Sequence, residues 1–241
     1  MNRDLVKILG FGVDSFCFED ALNYICAHSG HVVTINPEMI SNALKDENFA
    51  SVINNAELVI PDGIGVELGL KILGHNVKRI AGVEFGKALI KCFYSEGKSV
   101  AFVGARPEVV NLAVEKLKQE FQGLNVVYSH DGYFDSEDLI IEELSKASPD
   151  LVLVALGSPK QEFFISKLKT ELKSAVMIGL GGSFDVWAGV VRRAPVIYQK
   201  LGLEWLYRTV KDPKRFKRIF PTLPMFVLRV ILERLNNANR K

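Results

Sequence analysis

Three cysteines are all the sequence has, Cys17, Cys26 and Cys92, an odd number set in apolar stretches with no Cys-x-x-Cys pair. Neither a disulfide framework nor a thiolate zinc cluster is expected, and the usage fits a reducing compartment. The histidines, His28, His31, His75 and His130, fall in no His-Glu-x-x-His spacing, and Asp-x-Asp does not occur, so no metal site is expected. The absence of a Gly-x-Ser-x-Gly elbow argues against an esterase, and no Gly-x-x-x-x-Gly-Lys-Ser/Thr loop is present. No apolar run approaches the ~20 residues of a bilayer span. Met1-Asn2-Arg3-Asp4 leads into a strand without the apolar core and cleavage site of a signal peptide. A cytoplasmic globular protein is the expectation.

What is present is an alternation of apolar runs and amphipathic stretches, with 48% hydrophobic residues to fill a sizeable core. Strands are predicted at Lys7–Val13, His31–Ile35, Glu57–Ile60, Ser99–Val103, Asn125–Tyr128, Leu151–Leu156 and Ala175–Leu180. Helices are predicted at Phe18–Ala27, Glu38–Leu44, Ile64–Leu73, Val83–Tyr94, Pro107–Phe121, Ser136–Ser145 and Lys160–Leu172. This rhythm predicts an α/β fold, a mostly parallel sheet covered by helices. It stops after Gly189, and the boundary between a core (1–191) and a C-terminal appendage (192–241) is drawn there.

The appendage is strongly basic. Thirteen of the 30 Lys and Arg residues lie between Arg192 and Lys241, against three of the 28 Asp and Glu. Such a split points to an anionic partner, whether phosphate, nucleic acid or a membrane surface. On a helix Arg208, Arg215 and Arg218 share one face. Phe220 to Leu235 is apolar over most of its surface, too short to span a bilayer, and flanked by Arg and Lys. That profile suits a helix lying on anionic lipid; a helix docked on its own core or on a sister subunit is the alternative.

Several predicted strand ends carry glycine: Gly10-Phe11-Gly12, Gly63-Ile64-Gly65, Gly104-Ala105, Gly157-Ser158-Pro159 and Gly179-Leu180-Gly181-Gly182. Each alone is common in α/β folds, and together they suggest a nucleotide or phosphate pocket. Gly104, Gly181 and Gly182 are the candidate nucleotide contacts. Asp185, after the last of these turns, reads equally well as a helix cap or as a partner for a ribose or sugar hydroxyl. Asp62 follows the apolar run Leu58-Val59-Ile60-Pro61, where it could cap a helix or carry chemistry; Thr34 and Asn36 at another strand end favour a site. Gly10-x-Gly12-x-x-Ser15 raises a dinucleotide-binding oxidoreductase as a rival, but lacks the third glycine and the acidic residue that would bind ribose. A nucleotide-binding adaptor without chemistry is a second rival.

Thr34-x-Asn36, Pro61-Asp62-Gly63-x-Gly65, Arg79-Ile80-Ala81-Gly82, Gly157-Ser158-Pro159-Lys160-Gln161-Glu162, Gly181-Gly182-Ser183-Phe184-Asp185, Arg193-Ala194-Pro195 and Gly202-Leu203-Glu204-Trp205, in this order, resemble the WecG/TagA/CpsF glycosyltransferase family. The resemblance implies a Rossmann-like core and an inverting, metal-independent enzyme without a cofactor. It implies a UDP-sugar donor and a polyprenyl-diphosphate-linked sugar acceptor, and a peripheral place on the inner face of the cell membrane, with no nucleic-acid partner. Within the family the chain is most similar to the TagA-type branch, which moves N-acetylmannosamine onto undecaprenyl-diphosphate-linked N-acetylglucosamine for wall teichoic acid. The resemblance makes Asp62 the catalytic base and places Thr34, Asn36, Arg79 and Gln161 along the substrate pocket. It assigns Arg208, Arg215 and Arg218 to a diphosphate. An apolar appendage helix would also permit a homo-oligomer off the membrane.

Overall fold

Near-continuous apolar strands imply a sheet covered on both faces, and the computed structural model has one. It describes residues 3–191, 194–195, 198, 206–207 and 213–239, with 213–221 described through their backbone alone. Six parallel strands lie in the order β4-β3-β8-β7-β5-β6: β3 (Gly30–Ile35), β4 (Leu58–Pro61), β5 (Val100–Gly104), β6 (Val126–His130), β7 (Leu151–Ala155) and β8 (Val176–Gly179). Alternation within each strand splits the core in two. Val32, Ile60, Phe102, Leu153 and Ile178 face one side, where α1 (Phe18–Cys26), α5 (Gly82–Ser95), α6 (Pro107–Glu120) and α9 (Ser183–Trp187) pack. Val33, Val59, Val103, Val154 and Met177 face the other. There they meet α2 (Pro37–Ala43), α3 (Glu47–Asn54), α4 (Ile64–Leu73), α7 (Glu137–Ala147) and α8 (Lys160–Glu171). Only β6, on the edge, has a half-exposed pattern.

Lys7–Val13 is not a single strand of the sheet. It folds as an antiparallel hairpin of β1 (Leu5–Ile8) and β2 (Phe11–Asp14), pairing apart from the six. Leu9 and Gly10 both have left-handed φ, +49° and +88°, as a two-residue turn of this kind requires. Gly10 therefore serves the hairpin, and the dinucleotide fingerprint loses the strand-to-helix setting on which it depends. Helix α3 is an addition that periodicity over so short a stretch does not reveal. It starts at Asp46, whose Oδ1 accepts from Asn48 N and Phe49 N at 3.0 and 3.1 Å.

A long helix, α10 (Pro213–Ala238), lies against α4 and α2. Phe226 and Val230 are buried among Ile8, Val66 and Leu70. Close approach is permitted by Gly69, where a methyl group would stand 2.7 Å from Ile8 Cδ1 and 3.2 Å from the Phe226 ring. Glu233 Oε2 accepts from Leu9 N at 2.9 Å, and Arg234 donates to Leu73 O at 3.1 Å, next to the left-handed Gly74 that ends α4. Full burial of an apolar side chain is worth about 1.5–3 kcal/mol, against roughly 1 kcal/mol for a hydrogen bond, so Phe226 and Val230 are the anchors. The opposite side of α10 leaves Met225, Leu228, Ile231, Leu232 and Leu235 exposed.

Candidate active site

All six strands run the same way, so their carboxyl ends share one edge, the edge at which open α/β sheets bind ligands. On it stand Thr34 and Asn36 from β3, Asp62 after β4, Arg106 after β5, Lys160 and Gln161 after β7, and Gly181 to Asp185 after β8.

Asp62 is not the helix cap. The N-cap of α4 is Gly63, with φ +80° and no side-chain bond. Asp62 N donates to Ile35 O at 2.8 Å, which carries the β3–β4 pairing one step further and sets a half-buried carboxylate at the sheet edge. That carboxylate faces the first turn of α5. A methyl group on Gly82 would lie 3.7 Å from Asp62 Oδ2 and 3.1 Å from Thr34 Cγ2. Asp62, Thr34 and the α5 N-terminus thus form one cluster, where the helix dipole favours negative charge. Glycine at position 82 spares a tight contact with Thr34, whereas a methyl group there would stand at an ordinary distance from Asp62.

Arg79 belongs to the same cluster through its backbone. Ile80 N donates to Pro61 O at 2.8 Å, and Arg79 N donates to Glu67 Oε2 at 3.0 Å, so the loop before α5 is tied to β4 and to α4. Sequence reasoning misses Glu67, which has no motif around it. Asn36 is the N-cap of α2: its Oδ1 accepts from Glu38 N and Met39 N, both at 3.0 Å, leaving Nδ2 as the end that could meet a ligand. Pro37 sits at the first turn of α2, as the sequence predicts.

Gln161 is buried and holds the turn after β8. Its Oε1 accepts from Gly181 N at 3.0 Å, and its Nε2 donates to Glu162 Oε1 at 2.7 Å. From the other face of the sheet the Thr34 hydroxyl donates to Gly179 O at 3.2 Å. Glu162 is a second residue whose role the motif alone does not disclose. Burial pushes its carboxyl above the ordinary range, against the opposing pull of Gln161 and Ser158.

Further along the same edge is a cavity of about 330 Å³ lined by Ala105, Arg106, Gly132, Tyr133, Leu156, Lys160 and Asp185, among others. Asp185 lies within α9, not at its cap, which is Gly182; a methyl group on Gly182 would approach Asp185 Oδ2 at 3.8 Å. Asp185 and the Gly181–Gly182 turn, contiguous in the chain, stay close at this end of the edge. Gly104 has a different reason to be glycine: with φ +120°, a Cβ there would strike the Ala155 backbone at 2.4 Å, so strand packing dictates it. Gly65 is similar, since its Cβ would lie 2.5 Å from Pro37 Cγ. Arg106, Tyr133 and Lys160 line the cavity without being singled out by sequence; an arginine after a strand and a lysine inside the Gly157–Glu162 motif were the available signals.

From β4 to β7 is three strand spacings, on the order of 14 Å. The edge therefore has room for an extended ligand, with Asp62 toward one end, the cationic cavity toward the other and the Gly179–Gly182 turn between. Of the predicted diphosphate contacts, Arg208 lies outside the described residues, as do Arg193 and the Gly202–Trp205 motif. Arg215 and Arg218 fall on the backbone of α10, with their side chains outside the described residues.

The sequence model described as the glycosyl transferase WecG/TagA/CpsF family matches residues 6–240. A Bacillus subtilis (strain 168) protein is 37% identical over 216 residues, 89% of this chain and 84% of its own length. One from Bacillus spizizenii (strain W23) is 37% identical over 201 residues, 83% and 78% respectively. A Staphylococcus aureus (strain MW2) protein is 34% identical over 205 residues, again 83% and 78%. All three are named N-acetylglucosaminyldiphosphoundecaprenol N-acetyl-beta-D-mannosaminyltransferase.

Proposed function

The chain belongs to the WecG/TagA/CpsF family of glycosyl transferases, and from that premise we propose that it transfers N-acetylmannosamine from a UDP-sugar to N-acetylglucosaminyl-diphosphoundecaprenol, a step toward wall teichoic acid. The single observation that carries the reading is the shared sheet edge: a carboxylate clustered with Thr34 at the α5 N-terminus, and a cavity holding Arg106, Lys160 and Asp185 beyond one glycine turn.

In this reading Asp62 takes the proton from the acceptor hydroxyl as that oxygen attacks the anomeric carbon. The UDP leaves from the opposite face, so the configuration inverts. A second carboxylic acid is not needed, because the diphosphate departs as a stabilised anion. Cationic side chains, Arg106 and Lys160 in the cavity, Arg79 in the loop before α5 and the appendage's Arg208, Arg215 and Arg218, neutralise the phosphate charge in place of a metal. Thr34 and Asn36 line the sugar side, with the buried Gln161 shaping it through the glycine turn that it holds; Asp185 meets a ribose hydroxyl, with the Gly181–Gly182 turn and the Gly104 end of β5 beside the nucleotide.

The acceptor's lipid stays in the bilayer, so the enzyme works at the inner membrane surface. No helix among the described residues is long and apolar enough to cross a membrane. We assign the exposed apolar side of α10 and the basic appendage (192–241) to contact with anionic lipid, closing the site over the core (1–191); a second copy covering that side off the membrane is the competing use.

The test is a panel of UDP-sugars with a short-chain analogue of the lipid acceptor, scored for product and anomeric configuration. UDP-N-acetylmannosamine should support transfer with inversion, with or without EDTA. Preference for UDP-N-acetylmannosaminuronic acid would reassign the donor. Retention of configuration would eliminate direct displacement, and loss of activity in EDTA would eliminate the metal-free route.

A further inference from the structure

Helix α8 buries Phe164, Ile165 and Leu168, as a core helix should, but it also buries a carboxyl group, Glu162, only 1% exposed. Its Oε1 accepts from Gln161 Nε2 at 2.7 Å; Oε2 is sealed from solvent and makes no hydrogen bond of good geometry among the described residues, although the Ser158 side chain and Glu162's own backbone N–H lie near enough to favour the charged form. An apolar residue of similar volume would be at least as stable here, because burying a polar oxygen unsatisfied carries a penalty of about 1–3 kcal/mol. A buried carboxyl is thus weakly explained by fold stability alone.

Its neighbour explains it better. The two ends of the Gln161 carboxamide are alike in shape, so only hydrogen bonds decide which end faces the glycine turn. Gly181 N–H needs an oxygen, and Gln161 Oε1 supplies it at 3.0 Å. The reverse orientation would oppose two donors. An acceptor at Glu162 forces Nε2 to its own side and so commits Oε1 to Gly181. Gly181 in turn has left-handed φ, +49°, and leads through Gly182 to Asp185. Burial raises the Glu162 carboxyl above the ordinary range, against the lowering pull of Gln161, Ser158 and its own backbone N–H, and the orientation rests on Oε1 accepting from Gln161 Nε2.

We infer that Glu162 is a positioning residue for the transfer reaction, orienting the Gln161 carboxamide and, through it, the Gly181–Gly182 turn that lies between the sugar and nucleotide ends of the site. The inference rests on the transferase reading for its effect on turnover, and on the hydrogen bonds alone for its effect on the turn.

The test is a double-mutant cycle on the full chain. Glu162→Gln keeps the size and a carbonyl acceptor for Gln161, and should keep kcat/KM within about threefold of the parent. Glu162→Leu preserves volume and removes the acceptor; kcat/KM should fall roughly tenfold to a hundredfold with folding intact by circular dichroism. Placed on Gln161→Ala, the leucine should cost little more, because it acts through a side chain already gone. If the leucine variant does not fold, Glu162→Asp, one methylene too short for the contact, takes its place in the cycle. Independently of any activity, hydrogen exchange at the Gly181 amide should speed up in Glu162→Leu and not in Glu162→Gln. Additive losses in the cycle, equal damage from glutamine and leucine, or unchanged Gly181 exchange would each overturn the assignment. A parent enzyme that transfers no sugar would sink the transferase reading and leave the exchange result to stand or fall alone.

Discussion

Thr34 and Gln161 hold one glycine-bearing segment from opposite faces of the sheet. The Thr34 hydroxyl donates to Gly179 O at 3.2 Å, and Gln161 Oε1 accepts from Gly181 N at 3.0 Å. Thr34 shares its strand face with Val32, toward α5, whereas Gln161 belongs to α8 on the other side. The end of β8 is thus fixed between the cluster that contains Asp62 and the cavity that contains Asp185.

This grip makes Gly179 irreplaceable. A methyl group there would fall 2.5 Å from Gln161 Nε2, and Gln161, itself buried, has no solvent to swing into. Gly179→Ala should lower kcat/KM about tenfold to a hundredfold by displacing the carboxamide. On a Gln161→Ala background, where the space is free, the added effect should shrink to within about threefold; an undiminished effect would show that the clash is not with Gln161.

Asp62→Asn keeps the shape of the side chain and removes the basic oxygen. If Asp62 takes the acceptor proton, kcat should drop roughly 10²–10⁴-fold while UDP affinity, read by calorimetry, stays within about threefold. Near-parental turnover would remove Asp62 from that role, and a parallel loss of UDP binding would make it a binding residue instead.

Phe226 tests how α10 is held. It is 1% exposed and packs over Gly69 against Ile8. Phe226→Ala should destabilise the protein by about 3–5 kcal/mol if α10 unfolds with the core in one step. A separate, lower thermal transition that removes only helical signal, with the main transition unmoved, would show that α10 melts independently and that its contacts add nothing to the core.

His31 gives the stability a definite pH dependence. It lies at the amino end of β3, fully buried, with Nε2 unpartnered among the described residues; its backbone N–H donates to Glu57, which also pairs with Lys169. Burial first, and the Lys169 charge second, lower its pKa from 6.5 to about 3. The native state therefore binds fewer protons here than the unfolded chain between those values. The stability associated with neutral His31 is fully present above pH 6.5 and is lost as pH falls toward 3, by on the order of 1 kcal/mol per unit. In urea titrations at pH 7.5, 6, 5 and 4, His31→Leu should lose stability less steeply than the parent. Parallel slopes would show that His31 does not titrate on unfolding.

Much of the architecture was readable from local pattern. Ile64–Leu73 is a helix with the boundaries that its periodicity predicts, and each of the six sheet strands was found within a residue or two, five of them because a strand covered on both faces must be apolar throughout. The exception is instructive. Lys7–Val13 has the composition of a strand, yet two residues of left-handed backbone at Leu9 and Gly10 turn it into a hairpin, and a leucine gives no warning of positive φ. Asn36, Asp62, Gln161 and Asp185 follow the carboxyl ends of strands that local pattern located, whereas Glu67, Arg106 and Tyr133 stand near the site only through the packing of segments far apart in the chain, and Glu162 acts through the adjacent Gln161.

By itself, then, the sequence determined which segments are strands, which end of each carries polar and glycine residues, and which family the whole resembles. These are properties of short stretches, set by side-chain period and backbone freedom. Only the tertiary structure decided what surrounds each of them: that Thr34 and Asp62 stand beside Gly82 at a helix N-terminus, that Gly104 and Gly65 answer to packing, and that α10 lays one side on α4 while leaving the other exposed. Those outcomes depend on strand order and on contacts between residues tens to hundreds of positions apart, where no local period carries information.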